Sequence, residues 1–434
     1  MNPSTTSPKT HMITINSSSN DSDQPNKPLL QKSPKPPDEL SNFQISLKWC
    51  ALDHSTYLGK FISYFTFILL TLVVPILTSF TLKLPTNDYP ISFNKLVQLP
   101  ESGLAAIAFF TLSAFFRNYG LKQLLFLDGL EDDTFSVRRG YTREVDKAFK
   151  CLVCILLPSF FIEIAHKILF FTTVKVSLPY MSPSVPLNSI VFVLVLASWV
   201  YRTGVFLLVC ILFRLTCELQ ILRFEGLHKF FEGSDSNSKV IFQEHVRIRK
   251  QLWVTSHRYR FFIIGCWFTS TVSQFAALLM VLASKAEKTF LNSGDLVVCS
   301  AVELSGLFLC LMEAARMTHR AQGIVAIATR WHMFLTCSSA AGLDSNKQGK
   351  RQSPEANGGC DGESDNDSSD ISTSVSPHDP SSFQTRQALV TYLGHNHGGI
   401  TLFGFALDRG MLHTIFAFEF SLVLWILSKV VVLS

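Results

Sequence analysis

Seven long apolar runs constrain this sequence more than any other feature. Each run has about 20 residues or more, the length that an α-helix needs to cross a bilayer. The runs cover residues 58–82, 103–125, 151–174, 187–213, 261–283, 296–315 and 411–433. Only 16% of the residues are charged, whereas soluble domains average about 25%. We therefore predict an all-α, polytopic membrane protein with seven transmembrane helices.

The basic residues predict how these helices are oriented. Lys and Arg are sparse in the loops after spans one, three and five, and abundant after spans two, four and six. Because cytoplasmic loops carry the excess of Lys and Arg, we predict a cytosolic N-terminus and an extracellular C-terminus. Helical spacing of apolar residues continues through residues 214–232, 239–260 and 316–331, which predicts cytosolic helical extensions of spans four, five and six.

Polar segments define the predicted domain boundaries. Residues 1–41 are rich in Ser and Pro and lack apolar periodicity, so we predict a disordered cytosolic tail. The membrane domain with spans one to six and their extensions covers residues 42–337. Residues 338–382 are acidic and of low complexity, which predicts a disordered cytosolic loop. A cytosolic lead-in and the seventh span occupy residues 383–434.

Four ionisable residues fall deep inside the predicted spans: Glu163, Arg202, Glu303 and Glu419. At about 1.5 Å per helical residue, they lie roughly 12 to 18 Å from the cytosolic ends of their spans. Each would cost about 2.5–3.5 kcal/mol facing lipid, so we expect them to face one another or water. Either Arg202 locks one or two acids in an ion pair while the remaining acid is protonated, or an unpaired acid lines an aqueous cavity or cation path. Lys167 lies nearer the outer end of span three, where its long side chain is expected to reach outward to the interface.

The seventh run carries hydroxyl groups on one helix face. Thr414, Ser421 and Ser428 are seven residues apart and therefore align along the helix. They are our pore-lining candidates, although small hydroxyl residues also serve close helix packing in membranes. Glu419 points roughly 160° away from Ser421, and we expect it to face Arg202 of its own subunit.

Other classes of function find little support in the sequence. It contains no nucleophile elbow, P-loop, HExxH or kinase signature, so we predict neither an enzyme nor a bound cofactor. Cys151 and Cys154 form a CxxC without a second pair at zinc spacing, so we predict buried thiols and no metal site. The net charge of +5 is modest and gives no reason to expect a nucleic-acid partner.

Three stretches carry a family resemblance: residues 47–55 (LKWCALDHS), 126–132 (FLDGLED) and 403–429 (FGFALDRGMLHTIFAFEFSLVLWILSK). They resemble a plant family of gustatory-receptor-like membrane proteins, distant relatives of the insect gustatory and odorant receptors. The resemblance implies a homotetrameric, ligand-gated cation channel. It further implies a terminal helix at a central pore, cytosolic helices that anchor the subunits, and a small-molecule ligand in an outward-facing pocket. In the insect receptors the terminal span carries Thr-Tyr followed by Gln-Phe, and the nearest dipeptide here is Glu419-Phe420.

Three functions stay open from the sequence. The first is the ligand-gated channel in the plasma membrane. The second is a non-conducting membrane scaffold or signalling protein that acts through its cytosolic helices and acidic loop. The third is a transporter, for which internal repeats are expected and none is evident.

Overall fold

The computed structural model describes eight stretches of the chain, namely residues 57–81, 93–118, 133, 135–173, 187–232, 237–283, 290–347 and 380–433. Helices α1 (Tyr57–Ile68) and α2 (Val74–Thr81) are joined by a π-helical turn, Leu69–Val73. The other helices are α3 (Phe93–Asn118), α4 (Phe135–Thr173), α5 (Leu187–Glu232), α6 (Ser238–Ala283), α7 (Phe290–Lys347), α8 (Pro380–His395) and α9 (Arg409–Leu433). Two short strands, β1 (Thr401–Leu402) and β2 (Phe405–Ala406), precede α9.

Seven membrane-length helical spans confirm the predicted fold class. They are the continuous segment α1–α2 and the helices α3, α4, α5, α6, α7 and α9. Helices α5 and α6 have 46 residues each and α7 has 58. At about 1.5 Å per residue, even 46 residues reach roughly 70 Å, more than twice the thickness of a hydrocarbon core of about 30 Å. These three helices therefore extend well beyond a membrane.

Helix α5 forms the centre of the bundle. It packs against α3, α4, α6 and α7, and every residue from 205 to 213 is buried. This stretch, VFLLVCILF, is apolar on all sides, as expected for a helix that other helices surround. The polar groups of α5 next to this stretch are consequently held inside the protein rather than at its surface.

The extended parts of the helices form a second bundle, which we call the basal bundle. It consists of residues 135–150 of α4, 214–232 of α5, 238–260 of α6, 316–347 of α7, and α8. Asp133 accepts hydrogen bonds from the guanidinium groups of both Arg223, at 2.8 Å, and Arg247. Arg214 pairs with Glu313 at 3.1 Å. Ion pairs thus connect the helices in and next to the base. The Arg223–Asp133 pair is buried, and removing one of its partners would leave the other charge unpaired.

The segment before α9 is fixed on the basal bundle. Helix α8 packs against α6 and α7. The backbone N–H of Ile400 donates to the Thr318 hydroxyl at 3.0 Å, and that of Thr401 donates to the Ser256 hydroxyl at 3.1 Å. Strands β1 and β2 then pair antiparallel across a turn at Phe403 and Gly404, which both have positive φ. The chain therefore enters α9 from a hairpin that is hydrogen-bonded to helices α6 and α7.

Three predicted boundaries differ from the structure. Helix α7 continues to Lys347 and α8 begins at Pro380, so the acidic loop was predicted too long at both ends; residues 1–41 and 348–379 lie outside the described residues. Pro is well suited to the first turn of a helix because its missing N–H is not needed there. Helix α3 begins at Phe93, ten residues before the apolar run at 103.

A proline explains the π-helical turn in the first span. Pro75 has no N–H, and its ring crowds the carbonyl four residues earlier, which is that of Thr71. The Ser102 hydroxyl donates to the Thr71 carbonyl at 3.2 Å, and the Ser198 hydroxyl donates to the Leu70 carbonyl at 2.5 Å. Hydroxyl groups of α3 and α5 therefore donate hydrogen bonds to carbonyl groups around this turn.

Candidate functional site

Arg202 is buried on α5 and is surrounded by groups from α3 and its own helix. Its guanidinium pairs with the Glu101 carboxylate, with 3.0 Å between Nη2 and Oε2. Nη1 donates to the Ser102 hydroxyl at 3.1 Å and to the Gln98 carbonyl at 3.4 Å. Nε donates to the Ser198 carbonyl at 3.4 Å. The guanidinium is therefore engaged on all three of its nitrogen atoms.

Lys167 forms a second buried ion group, between α4 and α7. Its ammonium lies 3.1 Å from Glu163 and 3.1 Å from Asp295. Lys167 is buried, so the prediction that it reaches outward to the membrane interface is wrong. The reason is Asp295, which supplies a carboxylate from α7 at the same depth and makes the inward position favourable.

The same region has a set of groups suited to a metal ion. Ligand atoms of Glu163, His166 and Asp295 lie within 4.8 Å of one another. However, the Lys167 ammonium already lies 3.1 Å from both carboxylates and supplies a positive charge there. This arrangement favours an ion-pair group over a metal site.

Glu303 lies on α7 and is also buried. Together with Glu101 and Arg202 it lines a small cavity between α3, α5 and α7. The Ser273 hydroxyl of α6 is within hydrogen-bonding reach of the Glu303 carboxylate. Arg202 and Glu303 thus meet at one cavity, but the guanidinium is paired with Glu101.

Glu419 is separated from the other acids. Its Oε1 accepts hydrogen bonds from the Trp267 indole N–H at 3.1 Å and from the Thr271 hydroxyl at 2.6 Å. Helix α9 packs against α6 and α7, while Arg202 is directed towards α3. The expected pairing of Glu419 with Arg202 is therefore wrong, because Glu101 takes the guanidinium and α6 supplies the donors for Glu419.

The four predicted intramembrane charges consequently do not form one cluster. Arg202 and Glu303 share the cavity, Glu163 belongs to the Lys167 group, and Glu419 lies at α6. Sequence reasoning missed Glu101 and Asp295, which it had assigned to loops. A signal existed for both: each lies within one helical turn or so of an apolar run, where an acid can still be drawn into the bundle by a cation on another span.

The hydroxyl face of α9 is exposed in the single chain. Thr414, Ser421 and Ser428 are all exposed. The Thr414 hydroxyl donates to the Gly410 carbonyl at 3.0 Å, and the Ser421 hydroxyl donates to the Ala417 carbonyl at 2.9 Å. These hydroxyls thereby satisfy their donors within α9 and leave oxygen lone pairs facing outward.

Large apolar side chains share this side of α9. Phe418 and Trp425 alternate with the three hydroxyl residues along the same helix face, whereas Phe420 points to one side of it. Phe418, Phe420 and Trp425 are 52%, 64% and 60% exposed. Helix α9 therefore carries a face on which exposed hydroxyl groups and exposed aromatic side chains alternate. A surface of this kind is typical of a helix that meets other helices or water in addition to lipid.

Comparison with solved structures shows which fold this is. The insect olfactory receptor OR5 from Machilis hrabei in complex with eugenol is similar with a TM-score of 0.56 and 12% sequence identity, covering 90% of this chain and 97% of that chain. A second structure of OR5 from Machilis hrabei gives a TM-score of 0.55 at 12% identity, covering 90% of this chain and 99% of that chain. At this identity the likeness shows the fold alone.

Sequence comparison adds the family. No curated protein matches the chain. The family model described as "Protein of unknown function (DUF3537)" matches residues 38–418, which is most of the chain. This seven-span protein with an insect olfactory receptor fold therefore belongs to the DUF3537 family.

Proposed function

We propose that the chain is the subunit of a homotetrameric, ligand-gated cation channel in which α9 lines a central pore. The observation that carries this proposal is the exposed hydroxyl face of α9, formed by Thr414, Ser421 and Ser428. The donors of Thr414 and Ser421 are satisfied within α9, and the outward lone pairs of these hydroxyls find partners around a water-filled axis but none in hydrocarbon. The similarity to an olfactory receptor fold supports the proposal, because that receptor was solved in complex with the small molecule eugenol.

The proposal includes an orientation and a location. The alternation of basic loops supports a cytosolic N-terminus and a C-terminus on the opposite side of the membrane. We place the channel in the plasma membrane, so that the C-terminus is extracellular. The basal bundle then lies in the cytosol, where it is suited to hold subunits together through its extended helices. The ligand is a small molecule that acts from the outer side. The plant origin and the kinship with gustatory receptors stay predictions.

Conductance tests the proposal. Purified protein in planar bilayers should carry cation current, and Ser421→Leu should reduce that current at least about tenfold, because a branched apolar side chain would replace a hydroxyl at the pore wall and favour dewetting. Val423→Leu is the matched control, since Val423 lies roughly 160° from Ser421 around the helix and is half-buried. It should leave the current within about twofold.

Two outcomes would count against the channel. If the Ser421→Leu and Val423→Leu variants carry equal currents, Ser421 does not line the pore. If the wild type carries no current across a broad range of ions and ligands, the alternative function as a non-conducting scaffold or signalling protein would be favoured.

A further inference from the structure

The cavity between α3, α5 and α7 has an unusual wall for the interior of a membrane protein. Glu101, Arg202, Thr203, Cys299 and Glu303 line it, together with apolar residues. It has room for about one water-sized group. Two carboxylates and one guanidinium thus face a space that is small and largely enclosed by helices.

The guanidinium does not neutralise both acids. Arg202 pairs with Glu101 at 3.0 Å, and its other donors bind the Ser102 hydroxyl and two backbone carbonyls. Among the described residues, Glu303 forms no salt bridge with any Lys, Arg or His. The Glu303 carboxyl group at the cavity is therefore left without a cationic partner within the described stretches.

One oxygen of this carboxyl group has no hydrogen-bond partner in the part of the chain that the structure describes. Glu303 is 4% exposed. Its Oε2 has no hydrogen-bond partner among the described residues, although Ser273 is within reach of the carboxylate. A buried carboxylate oxygen without a partner is costly, so the group needs either a proton or a bound cation.

We infer that the cavity binds one small monovalent cation, namely Na⁺, K⁺ or ammonium, with Glu303 as its charged ligand. Oxygen atoms of Glu101 and Thr203 complete the site; the Thr203 hydroxyl donates to Glu101 at 3.3 Å and keeps its lone pairs for an ion. Two carboxylates against one guanidinium leave a single negative charge, which one monovalent ion balances. A divalent ion would overcompensate, and carboxylate and hydroxyl oxygens suit hard cations.

Thermal unfolding of the full chain in neutral-lipid nanodiscs tests the inference. Chloride salts of Na⁺, K⁺ and ammonium are compared at equal ionic strength with the bulky cation N-methyl-D-glucamine. At least one small cation should raise the unfolding midpoint by about 2 °C or more in a saturable manner, since a ligand that binds only the folded state stabilises it. The salt that produces the shift identifies the ion, and radioactive sodium or rubidium should bind at about one ion per chain.

Two variants separate the cavity from general salt effects. Glu303→Gln keeps the shape of the side chain and removes its charge, so both the cation-dependent shift and the bound radioactive ion should disappear. Glu232→Gln removes an acid that is 61% exposed at the end of α5 and should preserve both. If Glu303→Gln does not fold, the ion measurements on the wild type still test whether the chain binds one small cation.

Three results would overturn the inference. Equal midpoints in all salts, with no bound ion, would mean that a proton neutralises Glu303. An unchanged shift in Glu303→Gln would place the ion elsewhere. A larger shift with Mg²⁺ or Ca²⁺ would contradict the charge balance at the cavity. None of these measurements requires a conducting protein, so their failure and failure of the channel proposal are distinguishable.

Discussion

Replacing Arg202 by Met is expected to lower the free energy of unfolding by about 3–5 kcal/mol, because it leaves a buried carboxylate without its cation. Arg202 is 4% exposed and pairs with Glu101, which is 7% exposed. The same guanidinium donates to the Gln98 carbonyl and the Ser102 hydroxyl of α3, so the substitution also removes hydrogen bonds between α3 and α5. The Met side chain replaces the aliphatic part of Arg, which keeps the loss of apolar packing small.

Denaturant titration in mixed micelles measures this loss. Arg330→Met is the matched control, since Arg330 is exposed on the basal part of α7, and it should stay within about 0.5 kcal/mol of the wild type. Adding Glu101→Gln to Arg202→Met should recover a large part of the loss, because the unpaired charge is then gone. If Arg202→Met and Arg330→Met are equally stable, the ion pair does not hold α3 to α5.

Replacing Lys167 by Met is expected to cost a similar amount, about 3–5 kcal/mol. The ammonium lies 3.1 Å from both Glu163 and Asp295. Its removal would leave two buried carboxylates facing each other, and like charges at short distance cannot both stay ionised. Their protonation would limit the loss without restoring the contact between α4 and α7.

This second loss is measured by the unfolding midpoint and by the yield of monodisperse protein. Lys229→Met, at an exposed position of the basal bundle, serves as the control and should behave like the wild type. Combining Lys167→Met with Asp295→Asn should restore stability in part, because one of the two acids becomes neutral. A Lys167 that reached outward to the interface would instead give nearly no change on substitution, and that result would contradict the buried ion group.

The helices could be predicted from the sequence because their signal is local. Runs of apolar residues of sufficient length identify all seven spans, and continued helical spacing identifies the extensions of α5, α6 and α7. The π-helical turn is less accessible. Pro75 predicts a disturbance in the first span. Which carbonyl groups accept hydrogen bonds from other helices depends on Ser102 and Ser198, which are distant in the sequence.

The buried charges could be predicted only in part. Arg202 and Glu303 stand out because they interrupt apolar runs. Glu101 and Asp295 lie at span ends among residues such as Asn, Lys and Pro, which are typical of loops. Their place inside the protein is decided by Arg202 and Lys167 on other helices, and local periodicity contains no information about such long-range pairs.

Glu419 illustrates the same limit. Counting residues correctly separates its direction from that of Ser421. The partner does not follow from counting, because it depends on which helix packs against α9. Trp267 and Thr271 on α6 provide the donors, and neither is charged, so a search for an opposite charge could not have found them.

The symmetry of the purified particle tests the account most directly. Single-particle imaging of the full chain in nanodiscs should show a fourfold assembly in which the α9 helices surround the axis, with Ser421 of each subunit facing it. A monomer, or an assembly whose α9 helices face lipid away from the axis, would contradict the proposed channel.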